Sequence, residues 1–378
     1  MQPVAVTLSK CQDYSPVAVQ AAVERMLANL GGIERFVSPG QSVLLKPNML
    51  TDRNPDQAVT THPEVVRALI RIVKKRGGRP IVADSPANVT KIERVWEQTG
   101  FRALCDAEDV PLLNLEKTGS VRMEAGGISF TVAKPVLEAD VLVSIPKVKT
   151  HMLTIFTGAV KNLYGTIPGF QKATLHKAHP TPVEFGKLLA AIYTRTKPHL
   201  AVADAIVGMD GEGPSGGDPV KLGFLAASSD SVALDVVLCR ILGIDTRSVP
   251  YFKPLKIASL GETDFSRIEM SGTPMRDLDH VRFRIPSTLT GRLIPRPLVK
   301  LLQPFIWIRP AFSNRCVSCK RCARACPMEA LHIEPGSRPI LDPKRCIGCC
   351  CCHEVCPERA VEMRLSPLLS FVRRGKLP

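Results

Sequence analysis

"CIGCCCCHEVCPE", residues 346–358, puts four cysteines side by side and two more at its ends. Thirty residues upstream the chain reads "CVSCKRCARACPME", residues 316–329. The two stretches share one spacing: Cys316, Cys319, Cys322, Cys326 and Pro327 in the first, Cys346, Cys349, Cys352, Cys356 and Pro357 in the second. The repeat runs on past the cysteines, since "CPMEALHI" aligns with "CPERAVEM". Two copies of one short unit therefore face each other near the end of the chain.

The run C-x2-C-x2-C-x3-C-P resembles the bacterial-type two-cluster ferredoxins, in which three cysteines of one run share a 4Fe-4S cluster with the fourth cysteine of the other. The geometry explains the spacing. Three cysteines at every third residue wrap three corners of a cubane with backbone amides free to bond its sulfurs, while the remote fourth cysteine starts a helix and crosses over. Cys316, Cys319, Cys322 and Cys356 are expected to hold one cluster, and Cys346, Cys349, Cys352 and Cys326 the second. A pair of structural zinc sites is the competing reading, but zinc calls for C-x-x-C pairs and not quartets ending in Pro. Cys350 and Cys351 fall outside the register, where the first copy has Lys320 and Arg321. They are either small buried packing or a reactive or alternative ligand. "LHIEPGSRPILD" alternates around a Pro-Gly turn and predicts a hairpin between the runs. So small a unit has little apolar core, and cluster ligation supplies much of its folding energy.

The other cysteines, Cys11, Cys105 and Cys239, lie isolated in apolar or mixed contexts and read as core. Cysteine usage of this kind fits a reducing compartment. The start of the chain has no basic and apolar leader pattern, and no run reaches the length of a spanning helix, so a cytoplasmic protein is expected. With 378 residues, 45% hydrophobic, the chain should form two or three globular units. The net charge of +15 is concentrated late: from Arg282 onward there are 18 Lys and Arg against 6 Asp and Glu. Cluster thiolates answer part of this, and the rest suits an acidic partner or an anionic membrane surface. Nucleic acid is not expected as a partner, because aromatics are only 5% and no binding fold is signalled.

Residues 1–285 carry short apolar runs: "VAVTL" (4–8), "SVLLKPN" (42–48), "PIVADSP" (80–86), "DVLVSIPK" (140–147) and "HLAVADAI" (199–206). Helical patterns separate them, at 16–30, 61–78, 183–196 and 230–243, and a Gly126-Gly127 hairpin interrupts them. This predicts an α/β class fold: a layered, mostly parallel sheet domain, followed by a small α+β ferredoxin-like domain at 313–365. A basic apolar connector at 286–312 joins them, and a basic tail at 366–378 follows.

In parallel sheets the residues past the strand ends face the ligand crevice. Here these include Lys46, Asn48, Asp84, Ser85, Lys147, Lys149, His151, Asp204 and Asp210. "LLKPN", "PKVKTH", "GAVKNLYGTIPG", "KATLH" and "DAIVGMDGEGPSGG" resemble, in this order, domain of unknown function family 362. The resemblance spans about residues 4–285 and implies the two-part architecture without naming a reaction. The residues suggest the chemistry. Lys147, Lys149 and His151 alternate along an extended segment and are expected to face one site, with His176 or His179, near Lys172 and Lys177, as proton donors. Lys46, Lys161 and Asn162 favour a carboxylate or phosphate, and a helix starting near Thr157 offers its amides to an anion. "DGEGPSGGDP" is no dinucleotide fingerprint, and no Walker A sequence occurs. Its Asp210, Gly211, Glu212 and Gly213 are candidate ligand contacts, the acids orienting basic groups or binding a divalent ion and the glycines giving close backbone approach.

The stretch 287–315 contains no acid, and Arg292, Arg296, Lys300, Arg309 and Arg315 lie among Leu, Ile, Phe and Trp307. It either docks the cluster unit on the large domain or lies peripherally on the inner face of a membrane. Two functions fit: an iron-sulfur oxidoreductase that takes electrons from a redox partner or low-potential donor and reduces a small anionic substrate, or a non-catalytic ferredoxin-type carrier or maturation partner that docks another protein.

Overall fold

The computed structural model describes residues 4–86, 91–279, 281–286, 307–334 and 336–374. Twelve strands form the large domain: β1 (Val4–Lys10), β2 (Ser42–Pro47), β3 (Arg79–Asp84), β4 (Leu112–Asn114), β5 (Ser120–Ala125), β6 (Ile128–Ala133), β7 (Val141–Ile145), β8 (Lys147–His151), β9 (Ile155–Thr157), β10 (Leu200–Asp210), β11 (Asp218–Ser228) and β12 (Ile268–Gly272). Ten of them make one sheet in the order β12-β1-β11-β10-β7-β2-β3-β4, with β8 attached to β10 and β9 to β8. The stretch from β10 to β4 is parallel, as expected. The opposite edge differs: β11 runs antiparallel to both β10 and β1, so the first apolar run joins the sheet through an antiparallel neighbour.

Burial on both faces explains the continuous apolar runs. Along β2, Val43 and Leu45 pack into one core and Leu44 into the other. Along β7, Val141, Val143 and Ile145 face one side and Leu142 the other. Helices Pro16–Asn29 and Pro63–Lys75 cover the first face with Val19, Val23, Val65 and Leu69. Helices Pro182–Thr196 and Ser231–Ile241 cover the second with Phe185, Leu188, Leu234 and Leu238. Their starts are set locally: Thr181 and Glu184 form a reciprocal capping box, and the Asp230 carboxylate accepts from the amides of Val232 and Ala233. The expected hairpin is β5–β6, turning at Gly126 and Gly127, both with positive φ.

The C-terminal unit is built twice over. Each copy places a left-handed residue, Lys320 (φ 62°) or Cys350 (φ 64°), before a one-turn helix, Arg321–Arg324 or Cys351–Glu354. The predicted hairpin pairs Leu331–His332 with Ile340–Leu341. A second ladder pairs Ile308–Phe312 with Val361–Leu365, taking in the last residues of the stretch read as connector. Residues 287–306 lie outside the described residues. The core here is small: Cys322, Leu331, Cys352, Cys356, Ala360 and Val361.

Candidate functional site

The strand ends carry a hydrogen-bonded lattice. At the end of β2, the Lys46 ammonium lies 2.7 Å from Asp84 Oδ1 at the end of β3, and both side chains are buried. Asp84 also accepts from the amides of Met49 (2.7 Å) and Ser85 (2.9 Å). Asn162 donates to Lys46 O (3.0 Å) and Ser144 Oγ (3.1 Å), tying the segment after β9 to β2 and β7. On β8, Lys149 donates to Asn48 Oδ1 (2.8 Å). Gly165 closes over this lattice, where a Cβ would sit 2.3 Å from Asp84 Oδ1 and 2.5 Å from Lys46 Nζ.

Above the lattice is a cavity of about 340 Å³. Its cationic wall is Lys149, Lys161 and Lys172 from the large domain and Arg324 from the C-terminal unit. Met49, Leu50, Tyr164 and Val355 supply apolar wall, and Cys351 and Glu354 close it from the second cysteine stretch. Besides Glu354 Oε1, whose neighbour is His151 Nε2 at 3.2 Å, three buried polar atoms of lining residues have no hydrogen-bond partner among the described residues: Ser85 Oγ, Thr157 Oγ1 and His176 Nδ1. Burial pulls Lys161 and Lys172 down to about 8, against the raising influence of Glu354 on the first and Asp84 on the second. Burial likewise lowers His176, stacked on Phe185, to about 4. Such unmet groups in a dry, cationic pocket are what a ligand with acceptor oxygens would satisfy.

His151 meets Glu354 across the junction, Nε2 to Oε1 at 3.2 Å. Its Nδ1 accepts the amides of Leu153 (3.0 Å) and Thr154 (3.3 Å), so the ring proton sits on Nε2, facing the carboxylate. Burial lowers His151 to about 3. For Glu354 burial acts upward, but His151 and Lys161 outweigh it and hold the carboxyl at about 2. The pair is therefore a neutral imidazole beside a carboxylate.

The cysteines gather in two sets. Cys316, Cys319, Cys322 and Cys356 ring one small void, and Cys326, Cys346, Cys349 and Cys352 ring another. Corresponding amides point at sulfur in each copy: Ala330 N to Cys326 Sγ and Ala360 N to Cys356 Sγ, both 3.2 Å. Among the described residues no group of three or more His, Cys, Asp or Glu is gathered to hold a single metal ion. An enclosed void ringed by four sulfurs, with amides directed at them, suits a cubane instead. Cys350 borders the second void, whereas Cys351 turns to the cavity.

Residues 43–240 match the family described as domain of unknown function DUF362, and residues 312–332 match a 4Fe-4S binding domain. The chain belongs to the DUF362 family. The thylakoid-associated protein sll1697 of Synechocystis sp. is 37% identical over 247 residues, covering 65% of this chain and 76% of that protein. Among solved structures, the lactate racemase apoprotein of Thermoanaerobacterium thermosaccharolyticum aligns over 65% of this chain and 58% of its own, at 15% identity and a TM-score of 0.42. This DUF362 chain is thus an iron-sulfur protein with the fusion its motifs suggested.

Several expected site residues of this DUF362 domain lie elsewhere. Lys147 does not reach the cavity with Lys149: its ammonium is taken by Asp204 (2.9 Å) and Tyr14 (2.7 Å), because β8 meets β10 with a register shift after Asp204. Asp210 binds Arg284 (2.6 Å), and Gly211 N donates to Arg284 O. At Gly213 a Cβ would stand 2.2 Å from Thr150 O, so this glycine serves chain packing. The Gly-rich loop packs on the C-terminal unit and borders the cavity through Pro214: Ser215 Oγ donates to Glu354 O (2.7 Å), and a Cβ at Gly216 would strike the His353 ring. The amides expected to bind an anion, those of Ala159 and Val160, are capped by Asp235 (2.6 and 3.1 Å). His179 does not border the cavity. Glu354 and Arg324 were missed as site residues, and Cys351, read as packing or a reactive or alternative ligand, lines the cavity; the one signal for the first two was their place within the cysteine repeats.

Proposed function

We propose that this protein carries electrons by iron-sulfur chemistry and reduces a small anionic molecule held in the cavity between its two parts. The supporting observation is the cavity itself, enclosed by Lys149 of β8 and by Lys161 and Lys172 of the helical segments after β9 on one side and by the turn after Cys349 on the other. In this reading Cys316, Cys319, Cys322 and Cys356 hold one 4Fe-4S cluster and Cys326, Cys346, Cys349 and Cys352 a second. Clusters of this type supply electrons one at a time when bound.

The chain's own residues do the rest. Lys149, Lys161, Lys172 and Arg324 bind and orient the anion, and the free hydroxyls of Ser85 and Thr157 add hydrogen bonds. Lys46, Asn48, Asp84 and Asn162 fix the floor beneath. Lys161, at about 8, holds a proton close to neutral pH and can release it to a reduced ligand. Met49, Leu50 and Tyr164 exclude water, which strengthens each charge contact. A pure carrier would need only a shallow docking site, so the enclosed cavity favours a substrate. The name of the thylakoid-associated relative, with the acid-free stretch 287–315, favours work beside a membrane; among the described residues no helix is long and apolar enough to cross one.

The test is anaerobic purification with iron and sulfide analysis, dithionite titration, and mass spectrometry for a co-purifying ligand, on wild type and Lys161→Met. Iron-sulfur spectra plus an anionic ligand lost in the variant support the reading. Stoichiometric zinc in place of iron sinks it.

A further inference from the structure

The two cysteine quartets meet the surface differently. Each quartet buries two cysteines, but in the one beside the cavity none is exposed, and its adjoining turn is clamped to the large domain by Ser215, by His353 against Glu212 O (2.8 Å) and by His151. In the other quartet Cys319 is exposed. Beside it stand two of the few large exposed apolar side chains among the described residues, Val317 at 61% and Ile340 at 59%. The segments that carry them adjoin: Ser318 Oγ donates to Ser337 O (2.7 Å), and Val317 lines the same void as Pro339, the residue before Ile340.

Charge surrounds this apolar spot unevenly. Arg315, Lys320 and Arg338 are exposed on the same face, and Arg364 lies with Arg315 and Arg338 along an adjoining groove. Glu358, at the rim of the void, Glu362, in the groove, and the exposed Glu334, whose carbonyl accepts from Ser337, are the acids among them, three against four basic side chains. Arg321 does not contribute, since its guanidinium is spent on Asp52 of the large domain (2.9 and 3.1 Å). An exposed sulfur beside two apolar contacts, inside a net basic rim, has the makeup of a small transient electron-transfer interface.

We infer that the face formed by Val317, Cys319, Lys320, Arg338 and Ile340 is the docking surface for an acidic one-electron carrier protein, and that electrons enter here, beside the exposed Cys319. The inference rests on the iron-sulfur reading of the quartets and not on the identity of the cavity ligand. Val317 and Ile340 provide the contact that excludes water, and the basic rim steers the partner and sets its orientation. Steering of this kind raises association rates by one to three orders of magnitude and fades with salt.

The experiment uses the full-length, cluster-loaded protein with an acidic plant-type [2Fe-2S] ferredoxin as probe. Its association is measured by calorimetry, and the bleaching of the protein's visible absorbance on mixing with pre-reduced ferredoxin by stopped flow. At low salt both are expected to weaken by about tenfold or more in Lys320→Glu/Arg338→Glu, and the wild-type rate to fall similarly between about 20 and 300 mM NaCl. Reduction by methyl viologen radical, and iron content, should stay at wild-type values, which separates lost docking from lost clusters. Arg276→Glu, on the opposite domain, should change neither. Salt-independent rates, wild-type association in the double variant, or no reduction by ferredoxin of protein that viologen reduces would each overturn the assignment. Protein that lacks iron would instead overturn the reading it rests on.

Discussion

His353 Nε2 lies 2.8 Å from the carbonyl oxygen of Glu212, and the same ring reaches Val361 O at 3.0 Å, so one imidazole joins the Gly-rich loop of the large domain to the cluster unit. Gly216 makes room for it: a Cβ there would stand 2.2 Å from the ring and 2.9 Å from Glu212 O. Its φ is not in the left-handed region, so the demand is purely steric. Gly216→Ala should push the two units apart, at a cost of about 1–3 kcal/mol as for other overpacked sites. The expected signs are a lower thermal midpoint and faster limited proteolysis between residues 285 and 308; an unchanged midpoint would refute the role given to this glycine.

The Lys46 to Asp84 contact is a buried ion pair, and such pairs are costly to halve. Burial lowers the Lys46 pKa and Asp84 raises it back. Lys46→Met leaves the buried carboxylate hydrogen-bonded only to the amides of Met49 and Ser85, with Lys172 as the nearby cation, and should cost about 3–5 kcal/mol in urea unfolding. Asp84→Asn in the same background removes the orphaned charge and should recover part of that loss. A double variant no more stable than the single one would show that the pair is not the source of the penalty.

Lys161 and Lys172, both pulled down to about 8, make a pH prediction for the cavity. Each is cationic below that value and neutral above it. Affinity for a small carboxylate such as benzoate should therefore be level near pH 6.5 to 7.5 and fall by about tenfold per unit above pH 8 for each lysine that must be protonated to bind. Lys161→Met should weaken binding at pH 7 by about ten- to a hundredfold, the range of a charge-assisted hydrogen bond. Calorimetry across the pH range checks both, and affinity that does not change with pH would exclude these lysines as the anion's partners.

The central sheet was legible because residues buried on both faces must be apolar without interruption, as in β2, β7 and the first half of β10. One helix start was legible through Pro63, whereas the pattern read from 183 missed the Thr181 to Glu184 box that starts its helix at Pro182. β8 hid its nature: all five residues from Lys147 to His151 are buried, yet three are ionisable, and only the partners Asp204, Asn48 and Glu354, distant in sequence, make that possible. β11 hid behind an exposed, polar first half. Of the strand-end polar residues, Asn48, Asp84, Ser85 and Lys149 line the cavity, and which of them face it depends on who captures whom. Asp204 takes Lys147, Asp235 takes the short helix's amides, and Arg284 takes Asp210; none of these pairings has a local signature. Arg324, Ala325, Cys351, Glu354 and Val355 of the cavity wall come from the cysteine repeats, where spacing speaks to the ligands and says nothing of what lies between them.

Cys349, Cys350, Cys351 and Cys352 offer the sharpest separation of roles, because four adjacent thiols are assigned three different duties. Cys349 and Cys352 ring a void with Cys326 and Cys346, Cys350 packs with its Sγ 3.4 Å from Gly348 O, and Cys351 faces the cavity. Cys349→Ser should lose about four irons per chain, the content of one cubane, and with them the folding energy that the small core of Cys322, Leu331, Ala360 and Val361 cannot replace. Cys350→Ser and Cys351→Ser should keep full iron content and the same low-temperature paramagnetic spectrum on reduction. Only Cys351→Ser should alter binding of the anion in the cavity. Loss of iron from Cys351→Ser would move that residue from the cavity wall into the ligand set and undo the register on which both quartets depend.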